Sequence, residues 1–391
     1  KGVYRSTAGE RIAPAMKTAY DLLIEKLSMQ AGLKRIPLNG AFELTSRCNY
    51  NCKMCYVHDP SKAIDLIGKE LTADQWIRIA EDARDAGMLN LVLTGGEIFL
   101  RSDIEDIYER LSRMGFKITL YTNGSLIDEA KAKWLGRIPP TSMEITLYGA
   151  SAETYEKLCG NSAGYERTVK AVDMLLAEGI NLELKMTVTY DNMDDMEQLA
   201  EFAYKRGLPL SIVDYLFPQM VCESPDNCRL SPRDQVGFMK KFFSTTERLR
   251  EAYSTGELPK QTLERAARIV EDIEKLDRDR NSTERKSAFT CKAGTSSFWV
   301  NWEGMMVPCG MMKEPAINLL QTDFREAWDR LCEGMYDIPA CSECEKCSLN
   351  RFCDVCPAKL KTETGHYDRP APYLCELARL SRKEFGQGKT L

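Results

Sequence analysis

Between residues 41 and 215, short runs rich in β-branched and aromatic residues alternate with longer stretches whose apolar positions recur at helical spacing. That alternation is the pattern of parallel βα units. It predicts six strands, over residues 41–45, 90–94, 116–122, 142–148, 182–189 and 209–215. Local punctuation agrees: Thr72 with Gln75 and Ser102 with Glu105 have capping-box spacing, and Gly87, Gly115, Gly179 and Gly207 stand where the helices should stop. A closed eight-stranded β/α barrel takes about 250 residues. Six units in about 175 residues therefore predict an α/β fold built on a partial (β/α)6 barrel, open on one side. In such a sheet the ligand site lies at the C-terminal strand ends.

The flanks read differently. Residues 1–40 form an N-terminal extension with an amphipathic helix expected from Met16 to Leu27. Residues 216–290 read as a helical linker, in which Leu263, Ala266, Ala267, Val270 and Ile273 share one face and charges cover the other. Residues 291–391 form a cysteine-rich module, which makes residues 41–215 the barrel domain. The formal charge of −5 and pI near 5.5 argue against a nucleic-acid partner, which demands a basic face. No stretch approaches the roughly 18 consecutive apolar residues of a membrane span. The chain opens Lys1-Gly2-Val3-Tyr4-Arg5, which is no secretory signal.

Fifteen cysteines stand against two histidines. An odd number in spaced groups does not suit a secreted disulfide framework and fits a reducing cytoplasm. The first group is Cys48-x-x-x-Cys52-x-x-Cys55, just past the first strand. The second comprises Cys291, Cys309, Cys341, Cys344, Cys347, Cys353, Cys356 and Cys375. Close-spaced thiolates bind iron–sulfur clusters or zinc, and a structural zinc takes four ligands where the first group offers three. Three thiolates on a cubane leave one iron open. Cys159, Cys222 and Cys332 lack such spacing and read as buried small hydrophobes.

The segment from Cys48 to Tyr56 resembles the cluster loop of the radical S-adenosylmethionine superfamily. Three further signals fall on successive strand ends: Gly95-Gly96-Glu97, Thr122-Asn123-Gly124 and Thr146-Leu147-Tyr148. The resemblance implies that Cys48, Cys52 and Cys55 hold a catalytic [4Fe–4S] cluster and that S-adenosyl-L-methionine chelates its open iron. It further implies that Gly95, Gly96 and Glu97 receive the methionine amino group, and that Tyr56, Asn123 and Thr146 line the rest of the cofactor. Cleavage would yield a 5′-deoxyadenosyl radical that takes hydrogen from the substrate.

The C-terminal module resembles the SPASM domain, whose pattern here runs Cys291, Gly304-x4-Cys309, Cys344-x-x-Cys347-x5-Cys353, Cys356 and Cys375. Two auxiliary [4Fe–4S] clusters are implied, three in all. In that family the cysteines matching Cys291, Cys309 and Cys356 serve one cluster, and those matching Cys344, Cys347, Cys353 and Cys375 the other. Cys341 is additional. It either completes the first auxiliary set or leaves that set with an open iron.

The resemblance implies an oxidoreductase acting on a peptide or protein substrate, with thioether or carbon–carbon cross-linking of a ribosomal peptide as the leading reaction. A flavodoxin or ferredoxin type reductant is its implied partner. Sulfatase-maturing relatives carry an aspartate base directly after the cysteine matching Cys309, where this chain has Gly310. Modification of a sugar, amino acid or tetrapyrrole on the same scaffold is another reading. A non-catalytic iron–sulfur carrier or zinc module is the reading from another class.

Overall fold

A computed structural model of the chain describes residues 19–57, 70–218, 228–253, 288–289 and 291–386. Cys222 and the helix expected around residues 263–273 lie outside them. Helix α1 (Ala19–Leu33) leads into β1 (Asn39–Glu43). There follow α2 (Ala73–Asp85), β2 (Asn90–Thr94), α3 (Ile104–Arg113), β3 (Lys117–Thr122), α4 (Glu129–Arg137) and β4 (Ser142–Thr146). Then come α5 (Ala152–Cys159), α6 (Gly164–Ala177), β5 (Leu182–Thr187), α7 (Met196–Lys205) and β6 (Leu210–Val213). The six strands pair in parallel and in chain order. Their ends lie within two residues of those read from the sequence.

Helix α8 (Pro232–Tyr253) packs on α7. The C-terminal module does not stand apart from the barrel. Its first strand, β7 (Ser297–Val300), pairs in parallel with β1, and β8 (Met305–Val307) and β9 (Ile317–Asn318) extend the sheet antiparallel. One nine-stranded sheet results, in the order β6-β5-β4-β3-β2-β1-β7-β8-β9. Four helices complete the module: α9 (Phe324–Tyr336), α10 (Ser342–Glu345), α11 (Pro357–Thr364) and α12 (Pro372–Phe385).

Alternation along the strands sorts the two faces of the sheet. Phe42 stacks on Trp76 of α2 with ring centroids 5.1 Å apart, and Phe298 of β7 meets Phe324 and Trp328 of α9 edge-on. These residues, with Leu91, Leu93, Ile118, Leu120, Met143 and Ile145, form the core under the helices. Their neighbours point the other way. Glu43, Thr119, Tyr121, Glu144, Lys185 and Trp299 therefore line the barrel interior, and most of that face is only half-buried.

Thr72 and Gln75 close a reciprocal capping box at α2. Ser102 with Glu105 does not: the N-cap of α3 is Asp103, with no side-chain capping bond. The cause is Arg101, which takes the Asp103 carboxylate in two bonds of 2.9 and 2.8 Å while donating to the carbonyls of Leu44 and Leu71. Among the described residues no helix is long and apolar enough to cross a membrane.

Candidate active site

The loop after β1 is pinned at three places. Behind β2, the N–H groups of Gly96 and Glu97 donate to the carbonyls of Thr45 and Arg47, each at 2.8 Å. Behind β3, Asn123 donates to Asn49 Oδ1 at 2.9 Å while Asn49 donates to Ser125 Oγ at 2.9 Å. At the end of α5, the N–H groups of Asn51 and Lys53 donate to the carbonyls of Cys159 and Leu158. Arg47 adds a bidentate pair with Glu70. Cys48, Cys52 and Cys55 are thus fixed where β1, β2 and β3 end.

The close approach requires glycine. A Cβ on Gly96 would lie 2.3 Å from the Arg47 carbonyl oxygen, and Gly95 adopts φ of +156° with Thr45 O 2.5 Å from where its Cβ would be. Glu97 follows the two glycines at the end of β2. Its carboxylate is fully buried and turned inward, accepting from the N–H groups of Phe99 and Asn123 and from Thr122 Oγ1. Burial lifts this carboxyl, and those donors pull it back. Glu97 therefore braces the ends of β2 and β3, leaving backbone of the two glycines as the groups that face the loop. Asn123 is likewise buried, with its amide 3.8 Å from Cys48 Sγ. Thr146 ends β4 half-buried, and Tyr56 is 44% exposed.

The three thiols fit a cluster by their chemistry. Burial pushes the Cys48 thiol up to about 12, with Glu97, Cys52 and Cys55 adding repulsion. A hydrogen bond to Cys159, together with burial, pushes Cys52 well up. Desolvated thiols held this close become thiolates only against a local positive charge, which iron supplies. Cys159, Tyr50, Tyr148, Tyr155 and Tyr165 form a wall behind the loop, with ring centroids 5.7 to 6.3 Å apart. Nothing in the cysteine spacing announced it.

The C-terminal cysteines sort into two sets. Cys291, Cys309 and Cys356 act on one another electrostatically, and burial pushes Cys309 up to about 12. Cys309 and Cys356 lie against Phe289, Ala293, Met312, Met335 and Ala358. The other set is Cys341, Cys344, Cys347, Cys353 and Cys375. Cys344 is pushed up to about 12 by burial and by a hydrogen bond to Cys341, with Cys353 and Cys375 close by. Cys347 and Cys341 in turn act on Cys375. Cys341 is buried in the pocket of Tyr215, Leu360, Ala371 and Leu374 that also holds Cys344 and Cys353. Its place is with this second set, so the first set has three thiols. Among the described residues no three ligating side chains meet at a single metal-sized point, and none of the described cysteines is in a disulfide.

A polar latch sits beside the second set. The Arg229 guanidinium lies 3.5 Å from the Tyr373 ring centroid and 4.8 Å from that of Tyr215. Glu363 accepts from Arg229 at 2.5 Å and from the Tyr215 hydroxyl at 2.6 Å. Tyr215 lies two residues beyond β6, so the latch ties the barrel to the module.

A parallel β/α sheet with a three-thiol loop at its C-terminal edge offers a ligand set of the kind that holds an iron–sulfur cluster. Residues 42–203, the span of the barrel from β1 into α7, match the family model described as the Radical SAM superfamily. The AdoMet-dependent heme synthase of Methanosarcina barkeri (strain Fusaro / DSM 804) is 26% identical over 342 residues, 85% of this chain and 95% of that protein. The antilisterial bacteriocin subtilosin biosynthesis protein AlbA of Bacillus subtilis (strain 168) is 28% identical over 167 residues. That match spans 42% of this chain and 36% of AlbA. Among solved structures, native anSMEcpe with bound AdoMet superposes with a TM-score of 0.66 at 17% identity, covering 90% of this chain and 97% of that one. Streptococcus suis SuiB bound to precursor peptide SuiA gives 0.65 at 17% identity, covering 91% and 81%. At such identities the likeness to these structures is one of fold.

Proposed function

We propose that this Radical SAM enzyme oxidises a side chain of a peptide or protein, forming a thioether or carbon–carbon cross-link. The observation that carries the reading is the barrel's interior face. Its mouth half offers Glu43, Thr94, Tyr121, Glu144 and Lys185, and Lys185 is already ion-paired with Glu144 and lies 4.4 Å from the Tyr121 ring centroid. A tetrapyrrole carrying carboxylates finds its lysine there already taken. Peptide N–H and O–H groups find acceptors.

Cys48, Cys52 and Cys55 would hold one [4Fe–4S] cluster, Cys291, Cys309 and Cys356 a second, and the Cys341 to Cys375 set a third. S-adenosyl-L-methionine bound at the first cluster would supply the hydrogen-abstracting chemistry. The Gly95-Gly96 backbone would meet the methionine end, with Thr146 and Tyr56 near the remainder. Asn123 and Glu97 hold the loop and strand ends in register. The auxiliary sets suit the removal of an electron from substrate, and a flavodoxin or ferredoxin supplies the reducing electron. Thiol chemistry of this kind belongs in the cytoplasm.

A second reading, oxidation of a tetrapyrrole, draws on the likeness to a heme synthase over 95% of that protein. One experiment separates them. Anaerobically reconstituted enzyme with dithionite is given a cysteine-containing synthetic peptide or an iron porphyrin bearing propionates, and products are weighed by mass spectrometry. Loss of two hydrogens from the peptide supports the first reading. Change in the porphyrin alone supports the second. No 5′-deoxyadenosine in any arm, with Cys52→Ala indistinguishable, rejects both.

A further inference from the structure

Oxidising a substrate by two electrons releases two hydrogens. One leaves as an atom, bonded to the 5′ carbon of deoxyadenosine. The other leaves as a proton while its electron passes to a one-electron acceptor of the iron–sulfur class, so the reaction needs a base within reach of the barrel interior.

The interior's carboxylates differ in how far they are committed. Glu97 is saturated by three donors. Glu144 is ion-paired with Lys185. Glu183 sits at the lower end of the strands and accepts from Ser211 at 2.5 Å. Glu43 ends β1 at the mouth. Trp299 Nε1 donates to its Oε2 at 3.1 Å, and among the described residues its other oxygen accepts no hydrogen bond.

Trp299 links this carboxylate to the C-terminal module. A Cβ on Gly310 would lie 3.2 Å from the Trp299 ring, so the ring occupies the space a side chain at 310 would need. The residue after Cys309 therefore brings no acid of its own. The indole that fills its place holds an acid from β1 instead.

We propose that Glu43 is the general base of the oxidation, taking the proton from the reacting S–H, N–H or O–H group of the substrate, with Trp299 as its positioning residue. The inference rests on the oxidative reading above. Burial raises the Glu43 carboxyl to about 7, opposed by the Trp299 bond and aided by the charge of Glu303 in the β7–β8 turn. A base poised there is half ionised near neutral pH, where proton transfer is most effective.

The test compares wild type, Glu43→Gln, Glu43→Asp and Trp299→Phe as reconstituted full chains with the cysteine-containing peptide. Glutamine still accepts from Trp299, so the variant keeps its local bond. Expected for E43Q is a fall of about 100-fold in oxidised peptide formed per 5′-deoxyadenosine, with partial rescue in E43D. Wild-type product formation should rise with pH through about 7, and W299F should shift that profile upward. An unchanged ratio of product to deoxyadenosine in E43Q overturns the proposal. If wild type makes deoxyadenosine but oxidises no peptide, the substrate reading fails instead. The inference is then decided by infrared titration of the substrate-free protein: a carboxyl titrating between pH 6 and 8 that vanishes in E43Q sustains it, and none overturns it.

Discussion

Replacing Gly96 by alanine should dislodge the three-thiol loop without touching a cysteine. The added Cβ would sit 2.3 Å from Arg47 O, 2.6 Å from Arg47 C and 2.8 Å from Ser46 O. All three are backbone atoms, so no side-chain rotation relieves the clash. Retreat of the loop breaks the bonds from Gly96 N to Thr45 O and from Glu97 N to Arg47 O. Each contributes about 1 kcal/mol net, and forced overpacking costs about 1–3 kcal/mol. The total of about 3–5 kcal/mol corresponds to a fall in melting temperature of about 10 °C for a domain of this size. Gly179→Ala is the control, because its φ of +74° brings strain but its Cβ meets nothing within 4 Å. It should cost about 1–2 kcal/mol. Calorimetry of the apoproteins and iron content after reconstitution measure both effects. The reasoning is refuted if G96A melts with the control and binds as much iron as wild type.

Three other outcomes follow from the geometry. Burial lifts Glu43 from its ordinary 4.5 to about 7, so its share of stability is complete below about pH 4.5 and lost as pH rises through 7. E43Q should be about 2–3 kcal/mol more stable than wild type at pH 8 and equal to it at pH 4, as read by urea unfolding; equal midpoints at both would contradict this. Cys341→Ala should leave iron content unchanged, since four thiols remain in its set, whereas Cys309→Ala should lose iron; loss in C341A would place Cys341 with the three-thiol set. Arg229→Ala strands Glu363 in a buried site and removes the cation from Tyr373, and should cost about 3 kcal/mol, measured by thermal melting, with Glu363→Gln milder.

The strands were legible because their alternation meets a packed helix layer on one side and a half-buried interior on the other. Phe42 and Glu43 are adjacent in sequence and lie on opposite faces for that reason. What stayed hidden depends on partners distant in the chain. Ser102 and Glu105 have the spacing of a capping box, but Arg101 draws Asp103 into the N-cap position through carbonyls 57 and 30 residues upstream. Glu97 stands in the Gly-Gly-Glu motif, and its carboxylate turns inward to three donors, Thr122 Oγ1 and the N–H groups of Asn123 and Phe99. Cys341 sits three residues before Cys344 and shares its pocket, which spacing alone left undecided between two sets. The link from Glu43 to Trp299 spans 256 residues and has no local signature.

A six-stranded parallel sheet has two open edges, and an open edge beside the three-thiol loop admits water and unwanted strands. The C-terminal module answers both. On one side β7 pairs with β1 and carries Trp299 into the interior. On the other, Tyr215 and Phe217, just past β6, run into the module: Tyr215 joins the Arg229 and Glu363 latch, and Phe217 packs against both pockets of C-terminal thiols. The same contacts that cover the barrel's edges therefore bring the auxiliary thiols to its rim. A module needed only for electron transfer could hang from one edge. One that holds a strand on β1 and a latch beyond β6 is joined to the barrel sheet at both of its ends.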